Sequence, residues 1–256
     1  KFNTKDAEEY YKLGVKLQNL GELEDAEVIY RQALELKPDF AKAHFNLGNI
    51  VKRSGKLREA EASYRLAIKY KPDLFEAYNN LGLLLHQIGN LDESATIFGK
   101  AIIFNPDFFE AYNNLGNVLK KLGNLKEAEA SYRQALELKP DFAKAHFNLG
   151  ILVAGLGRLN EAVAIYRQVI KFKSDYYLAH YNLGFMLHEI DNFDEAVTSY
   201  RQAIALKPDY FRAHNNLGVT LQSLGRIDEA KDSYQKAIEL KPDYFEAHNN
   251  LGVTFR

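Results

Sequence analysis

The sequence contains no cysteine. That absence excludes a disulfide framework and any zinc site built on thiolates, and it fits reducing and oxidising compartments alike. Neither sign of charge is in excess. Lys and Arg number 33 against 34 Asp and Glu, a net charge of -1, so no global field draws the chain to nucleic acid or to an anionic bilayer. No apolar run is long enough to span a membrane, and no basic and apolar leader opens the sequence. The compartment is left open, with the cytoplasm as the default expectation. Phosphate loops, dinucleotide fingerprints, nucleophile elbows and metal-ligand spacings are also missing. The sequence therefore predicts no catalytic residue, no metal and no cofactor. It opens at Lys1 and stops at Arg256 inside a repeat, and is expected to be a fragment of a longer protein.

Proline is scarce, and its placement is the first positive sign. All six prolines fall in one column (38, 72, 106, 140, 208 and 242), with Ser174 as the substitute. Glycine follows the same frame: Gly14, Gly48, Gly82, Gly116, Gly150, Gly184, Gly218 and Gly252 are each preceded by Leu and spaced by 34. An Ala column from Ala26 to Ala230 admits only Ser94, and a Tyr column from Tyr30 to Tyr234 admits only Phe98. Hydrophobic residues make up 46% of the chain, enough to bury a continuous core.

Each period holds two segments of helical periodicity separated by a turn glycine, at Gly21, Gly55, Gly89, Gly123, Gly157 and Gly225. Gly on the first helix and Ala on the second permit close approach, while Leu and Tyr fill the space beside them. Pro closes the second helix. Asp73 with Glu76, Asp107 with Glu110, and Asp243 with Glu246 have the spacing of capping boxes for the next first helix.

The period and its Leu-Gly, Gly, Ala, Tyr and Pro columns resemble the tetratricopeptide repeat (TPR) family. The family's usual Trp is here Tyr10, Tyr78 and Tyr112, or one of five His residues. The resemblance implies an all-α, right-handed superhelix of helix-turn-helix repeats. In its frame the chain is one array, residues 1–256. Seven full repeats cover 7–40, 41–74, 75–108, 109–142, 143–176, 177–210 and 211–244, and a partial one covers 245–256. Residues 30–48 are identical to 132–150, the mark of internal duplication.

At roughly 100° per residue, Lys42, Phe45, Asn46, Asn49, Lys52 and Arg53 share a stripe about 120° wide on one first helix, opposite its packing residues. Resemblance to the family makes this stripe the concave binding wall. Its strongest feature is the column Asn46, Asn80, Asn114, Asn148, Asn182, Asn216 and Asn250. Asn costs about 0.6 kcal/mol against Ala inside a helix. A carboxamide matches the alternating donors and acceptors of an extended peptide. The column is thus expected to hold an extended peptide or protein segment. A plainer alternative is bonding within or between repeats, or simple copying by duplication.

The same column, with N-N-L-G from 79, 113, 215 and 249 and P-D-F from 38, 106 and 140, resembles the repeat domain of O-linked N-acetylglucosamine transferases. That resemblance implies a substrate-recruiting arm of a glycosyltransferase as one alternative. The family's carboxylate clamp is not matched, because its Lys is replaced by Tyr, Phe or Asn throughout. Lys42, Lys52, Arg53, Lys120, Lys121 and Lys144 make repeats two to five basic, whereas Leu178, Tyr181 and Phe185 make repeat six apolar. A ligand acidic near one end and apolar near the other suits this gradient. A nucleic-acid reader is disfavoured for want of a continuous basic groove. Five histidines occupy a Tyr column and are expected to pack as aromatic rings, while His86 and His188 sit on the stripe.

Two further expectations concern the ends of the frame. Ser174 and Asp191 depart from the Pro and turn-Gly columns, so residues 170–195 are expected to be least stable. Ala247, Leu251, Val253 and Phe255 lack a covering second helix, and self-association through this truncated repeat is expected.

Overall fold

The structure is a computed structural model and describes residues 4–254. The chain divides into two compact units, one ending at Leu138 and the other starting at Lys139. The first contains α1 (Thr4–Leu20), α2 (Leu23–Leu36), α3 (Ala41–Arg53), α4 (Leu57–Tyr70), α5 (Phe75–Gln87), α6 (Leu91–Phe104), α7 (Phe109–Lys121) and α8 (Leu125–Leu138). The second contains α9 (Ala143–Gly155), α10 (Leu159–Phe172), α11 (Tyr177–Glu189), α12 (Phe193–Leu206), α13 (Phe211–Ser223), α14 (Ile227–Leu240) and α15 (Phe245–Val253). The described residues hold helices and no strands, and the fold class is an all-α solenoid. Within each unit every helix packs on the next in sequence, and first helices of neighbouring repeats also touch, as α5 with α7 and α11 with α13.

The packing follows from the Gly and Tyr columns. Tyr30, Tyr64, Tyr132 and Tyr234 are completely buried, each against the first-helix glycine of its own hairpin. Burying a large apolar side chain contributes about 1.5–3 kcal/mol, so the repeated ring is the main cohesive element of each hairpin. Where Ser94 replaces Ala, its hydroxyl is satisfied by the Gly82 carbonyl at 2.7 Å. Across repeats, surface ion pairs link residues 28 apart: Arg31 with Glu59, Arg65 with Glu93, Arg167 with Glu195 and Arg201 with Glu229. Each is exposed and contributes at most about 1 kcal/mol.

The expected capping boxes do not form. Helices α5, α7 and α15 take Leu74, Phe108 and Tyr244 at the N-cap, without a side-chain capping bond. The aspartates lie one residue earlier, in the turn, where the Asp73 and Asp107 carbonyls accept from Phe75 and Phe109 at 2.9 Å. Large apolar residues hold the cap position because they pack there: Leu74 is buried beside Ala67 and Ala77. The five first-helix histidines stack as expected where rings meet, His44 on Tyr70 and His146 on Phe172. They also do something Tyr does not. The Nε2 of His44, His146, His180, His214 and His248 bonds the carbonyl six residues earlier at 2.8–3.0 Å, tying each helix start to the loop before it.

Six turn glycines adopt φ between 72° and 86°, and Asp191 holds the same place with φ 60°. A left-handed conformation costs an L-residue about 1–2 kcal/mol, less for Asp than for most. Helix α10 ends at Phe172 with Lys173 as C-cap, as the other second helices do, so Ser174 terminates it without proline. Asp191→Gly is accordingly expected to raise stability by about 1 kcal/mol. It should also slow amide exchange around 187–192, and no change in the melting transition would contradict this.

At the last repeat Ala247 is completely buried, contrary to expectation, because α14 already covers it. Val253 is 52% exposed and Phe245 77%. Phe255 lies outside the described residues.

Candidate functional site

The stripe drawn from the sequence lies on the first helices of both units. All seven column asparagines are half-buried, and the carboxamides of Asn46, Asn80, Asn114, Asn216 and Asn250 take part in directed hydrogen bonds. In the first unit Asn113 donates to Asn114 Oδ1 (3.5 Å), Asn114 to Asn79 Oδ1 (3.0 Å), Asn79 to Asn80 Oδ1 (3.3 Å) and Asn80 to Asn49 Oδ1 (2.8 Å). The buried Tyr64 hydroxyl also donates to Asn49 Oδ1, at 2.9 Å. Asn46 Nδ2 reaches the Tyr30 and Tyr11 hydroxyls at 3.1 and 3.4 Å. In the second unit Asn250 donates to Asn215 Oδ1 (3.0 Å), Asn215 to Asn216 Oδ1 (3.1 Å) and Asn216 to the Tyr181 hydroxyl (3.1 Å).

A simple register governs these bonds. Each Asn turns to the residue 35 before it when that residue can accept: Tyr11, Asn79, Tyr181 or Asn215. For Asn80 that residue is Phe45, so its amide turns to Asn49 instead. For Asn182 it is Phe147, and Asn182 faces the Tyr166 hydroxyl. Asn148 occupies the same register of α9 and is half-buried. The bonding alternative drawn from the sequence therefore holds for Asn46, Asn80, Asn114, Asn216 and Asn250, and the bonds fix how their amides are oriented. A carboxamide has two N–H donors and two acceptor lone pairs. At Asn114 the bonds above engage one of each, leaving one donor and one acceptor on a half-exposed group.

The second asparagine column, Asn79, Asn113 and Asn215, is buried at 9%, 1% and 5% exposure, and sequence reasoning missed it. The Tyr hydroxyls that anchor the chain were missed too. The available signal was the N-N doublet, which was read as a family motif and as a mismatch to a clamp, not as a pair of bonded amides. Burial pushes the Tyr30 hydroxyl up to about 12 and raises Tyr64 and Tyr166 as well, so these groups remain neutral at physiological pH.

Around the column lie lysines in the first unit and aromatic residues in the second. Lys42 is exposed and lies with Tyr11, Lys37, Phe40 and Lys71 around an open cavity of about 490 Å³. Lys52 and Lys120 are half-buried, and burial lowers the amine pKa of both, with Lys121 adding to the effect at Lys120. In the second unit Tyr181 packs on Tyr200 and Tyr210 at ring separations of 5.8 and 5.0 Å. Phe185 is exposed at the rim of a cavity of about 130 Å³ that also touches His188 and Asn216. His188 Nδ1 lies 3.1 Å from Thr220 Oγ1. Among the described residues no His, Asp or Glu side chains cluster as a metal site, and no helix is long and apolar enough to cross a membrane.

Comparison with known proteins bears on the family and the fold. The TPR repeat family profile matches residues 17–55, 48–89, 84–123, 116–157, 154–191 and 186–225, and a second tetratricopeptide repeat profile matches 211–244. No curated protein matches. Among solved structures, a tetratricopeptide repeat protein from Parabacteroides merdae is 20% identical with TM-score 0.68, over 98% of this chain and 100% of that one. YrrB, described as a TPR protein with an unusual peptide-binding site, is 22% identical with TM-score 0.65, over 73% of this chain and 96% of its own. MamA is 24% identical with TM-score 0.61, over 63% and 95%. At these identities the likeness is one of fold.

Proposed function

The chain belongs to the tetratricopeptide repeat family, and on that premise we propose that it is a non-catalytic scaffold whose first-helix face holds an extended peptide through its asparagine column. The observation that carries this reading is the pre-oriented amide chain: half-exposed carboxamides held in place by buried partners lose little freedom when a ligand arrives. YrrB, with its peptide-binding site, is a precedent within the fold. Peptides selected by display on the immobilised chain are expected to be extended. They should perturb the amide resonances of Asn80, Asn114 and Asn216 while leaving the exposed faces of α4 and α14 unmoved. Perturbations confined to the second helices would overturn the reading.

The N-N-L-G and P-D-F runs favour one specialisation of this role, recruitment of substrate for a glycosyltransferase. A catalytic domain encoded beyond Arg256 would establish it, and a stop codon directly after the array would exclude it.

A second role rests on α15. Gly252 has open space where a Cβ would stand, whereas the same glycine in the other seven repeats lies against the Tyr or Phe of its hairpin. With Phe245 and Val253 exposed, this face is suited to pairing between copies of the chain. Sedimentation velocity is expected to show concentration-dependent association that Leu251→Gln with Phe245→Gln shifts toward monomer. An unmodified chain that stays monomeric at high concentration contradicts it.

A further inference from the structure

Lys52, His86 and Lys120 share one register in the last turns of α3, α5 and α7. The polar residues Gln18, His188 and Gln222 of the same register are satisfied internally. Gln18 and Gln222 accept from the Tyr30 and Tyr234 hydroxyls at 2.9 Å, and His188 meets Thr220 at 3.1 Å. His86 is the exception: among the described residues its Nε2 is the buried side-chain polar atom with no hydrogen-bond partner. The repeat frame shows why. Phe98 stands where the other hairpins have Tyr, and Val118 stands where Thr220 faces His188, so both hydroxyls that serve its counterparts are gone.

On either side, Lys52 and Lys120 are half-buried and form no ion pair with Asp or Glu among the described residues. Cations in a last helical turn complement the helix dipole. That accounts for the exposed neighbours Arg53 and Lys121, but not for two lysines held where hydration is reduced. On α3, α5 and α7 the acidic residues of this face, Glu76 and Glu110, are in the first turns of α5 and α7, at the far end of those helices.

We propose that this column is a subsite for the acidic part of a bound peptide, whose carboxylates pair in turn with Lys52, His86 and Lys120. The inference rests on the peptide-binding reading above and adds the chemistry of the ligand. Two helix-to-helix steps of about 8–10 Å span roughly six residues of extended chain. Rotation of His86 about χ2, a broad torsion, brings a ring nitrogen to the ligand.

The test uses two fluorescent decapeptides, one with a central hexaglutamate and one with hexaglutamine, titrated into the full chain and followed by anisotropy. Hexaglutamate is expected to bind at least about tenfold more tightly. Lys52→Gln with Lys120→Gln should erase the difference, and the His86 ring resonances should move on binding of hexaglutamate only. Equal binding of the two peptides, or no binding of hexaglutamate, overturns the proposal, as does a stationary His86. Failure here is distinguishable from failure of the peptide-binding reading: a neutral, display-selected peptide that still loses affinity in Asn114→Ala leaves the asparagine column in place.

Discussion

Gly218→Ala is expected to be about 1–3 kcal/mol less stable than Gly252→Ala, although both place the same methyl group in the same repeat register. At Gly218 an added Cβ falls 2.6 Å from Tyr234 Cε1 and 2.7 Å from Cδ1, and the ring cannot retreat because it is completely buried and its hydroxyl is held by Gln222. At Gly252 the same atom meets nothing within 4 Å. The gain of about 1 kcal/mol from replacing Gly by Ala in a helix interior favours Gly218→Ala, because Gly252 is one residue from the end of α15, so the clash must outweigh it. Chemical denaturation of the two variants checks the account. Equal midpoints would mean that the Leu-Gly column is not there to admit the Tyr ring.

The asparagine chain makes a second large prediction, and it revises what sequence alone suggests. Propensity by itself favours Ala over Asn inside a helix, by about 0.6 kcal/mol per site. The structure adds a larger opposing effect. Removing Asn80 takes the acceptor from the buried Asn79 amide, and removing Asn114 takes the donor from Asn79 Oδ1 and the acceptor from Asn113. A buried polar group left without its partner costs about 1–3 kcal/mol, so the double variant is expected to lose about 1–2 kcal/mol per site after the propensity gain. A double variant as stable as the parent chain would show that these bonds do not persist in solution.

The paired helices of each repeat and the packing columns were legible in the sequence because each obeys a local rule repeated at one spacing. Glycine marks φ above zero, Tyr faces Gly, and the residue before Pro ends a helix. The capping boxes misled because Asp-x-x-Glu spacing is a local signal, whereas Leu74 and Phe108 win the cap position by burial, which is a tertiary effect. For the candidate site, the sequence located the exposed column but not its anchors. Whether Asn80 turns to residue 45 or 49 depends on which neighbour across the repeat can accept, and only the stacked arrangement reveals that. The orphaned nitrogen of His86 is similar: it becomes visible only when Phe98 and Val118 are placed around it.

The central claim is that the column holds the backbone of an extended peptide. It is tested most directly by a double-mutant cycle between protein and ligand, using a display-selected peptide and its version N-methylated at a single backbone amide. Dissociation constants are measured for both peptides against the parent chain and against Asn114→Ala, at a temperature where both proteins are folded. If the amide is read by Asn114, each change alone weakens binding by about tenfold, near 1.4 kcal/mol, and the two together cost little more than one. Losses that simply add at every methylated position would contradict the account, as would an Asn114→Ala protein that binds the parent peptide undiminished.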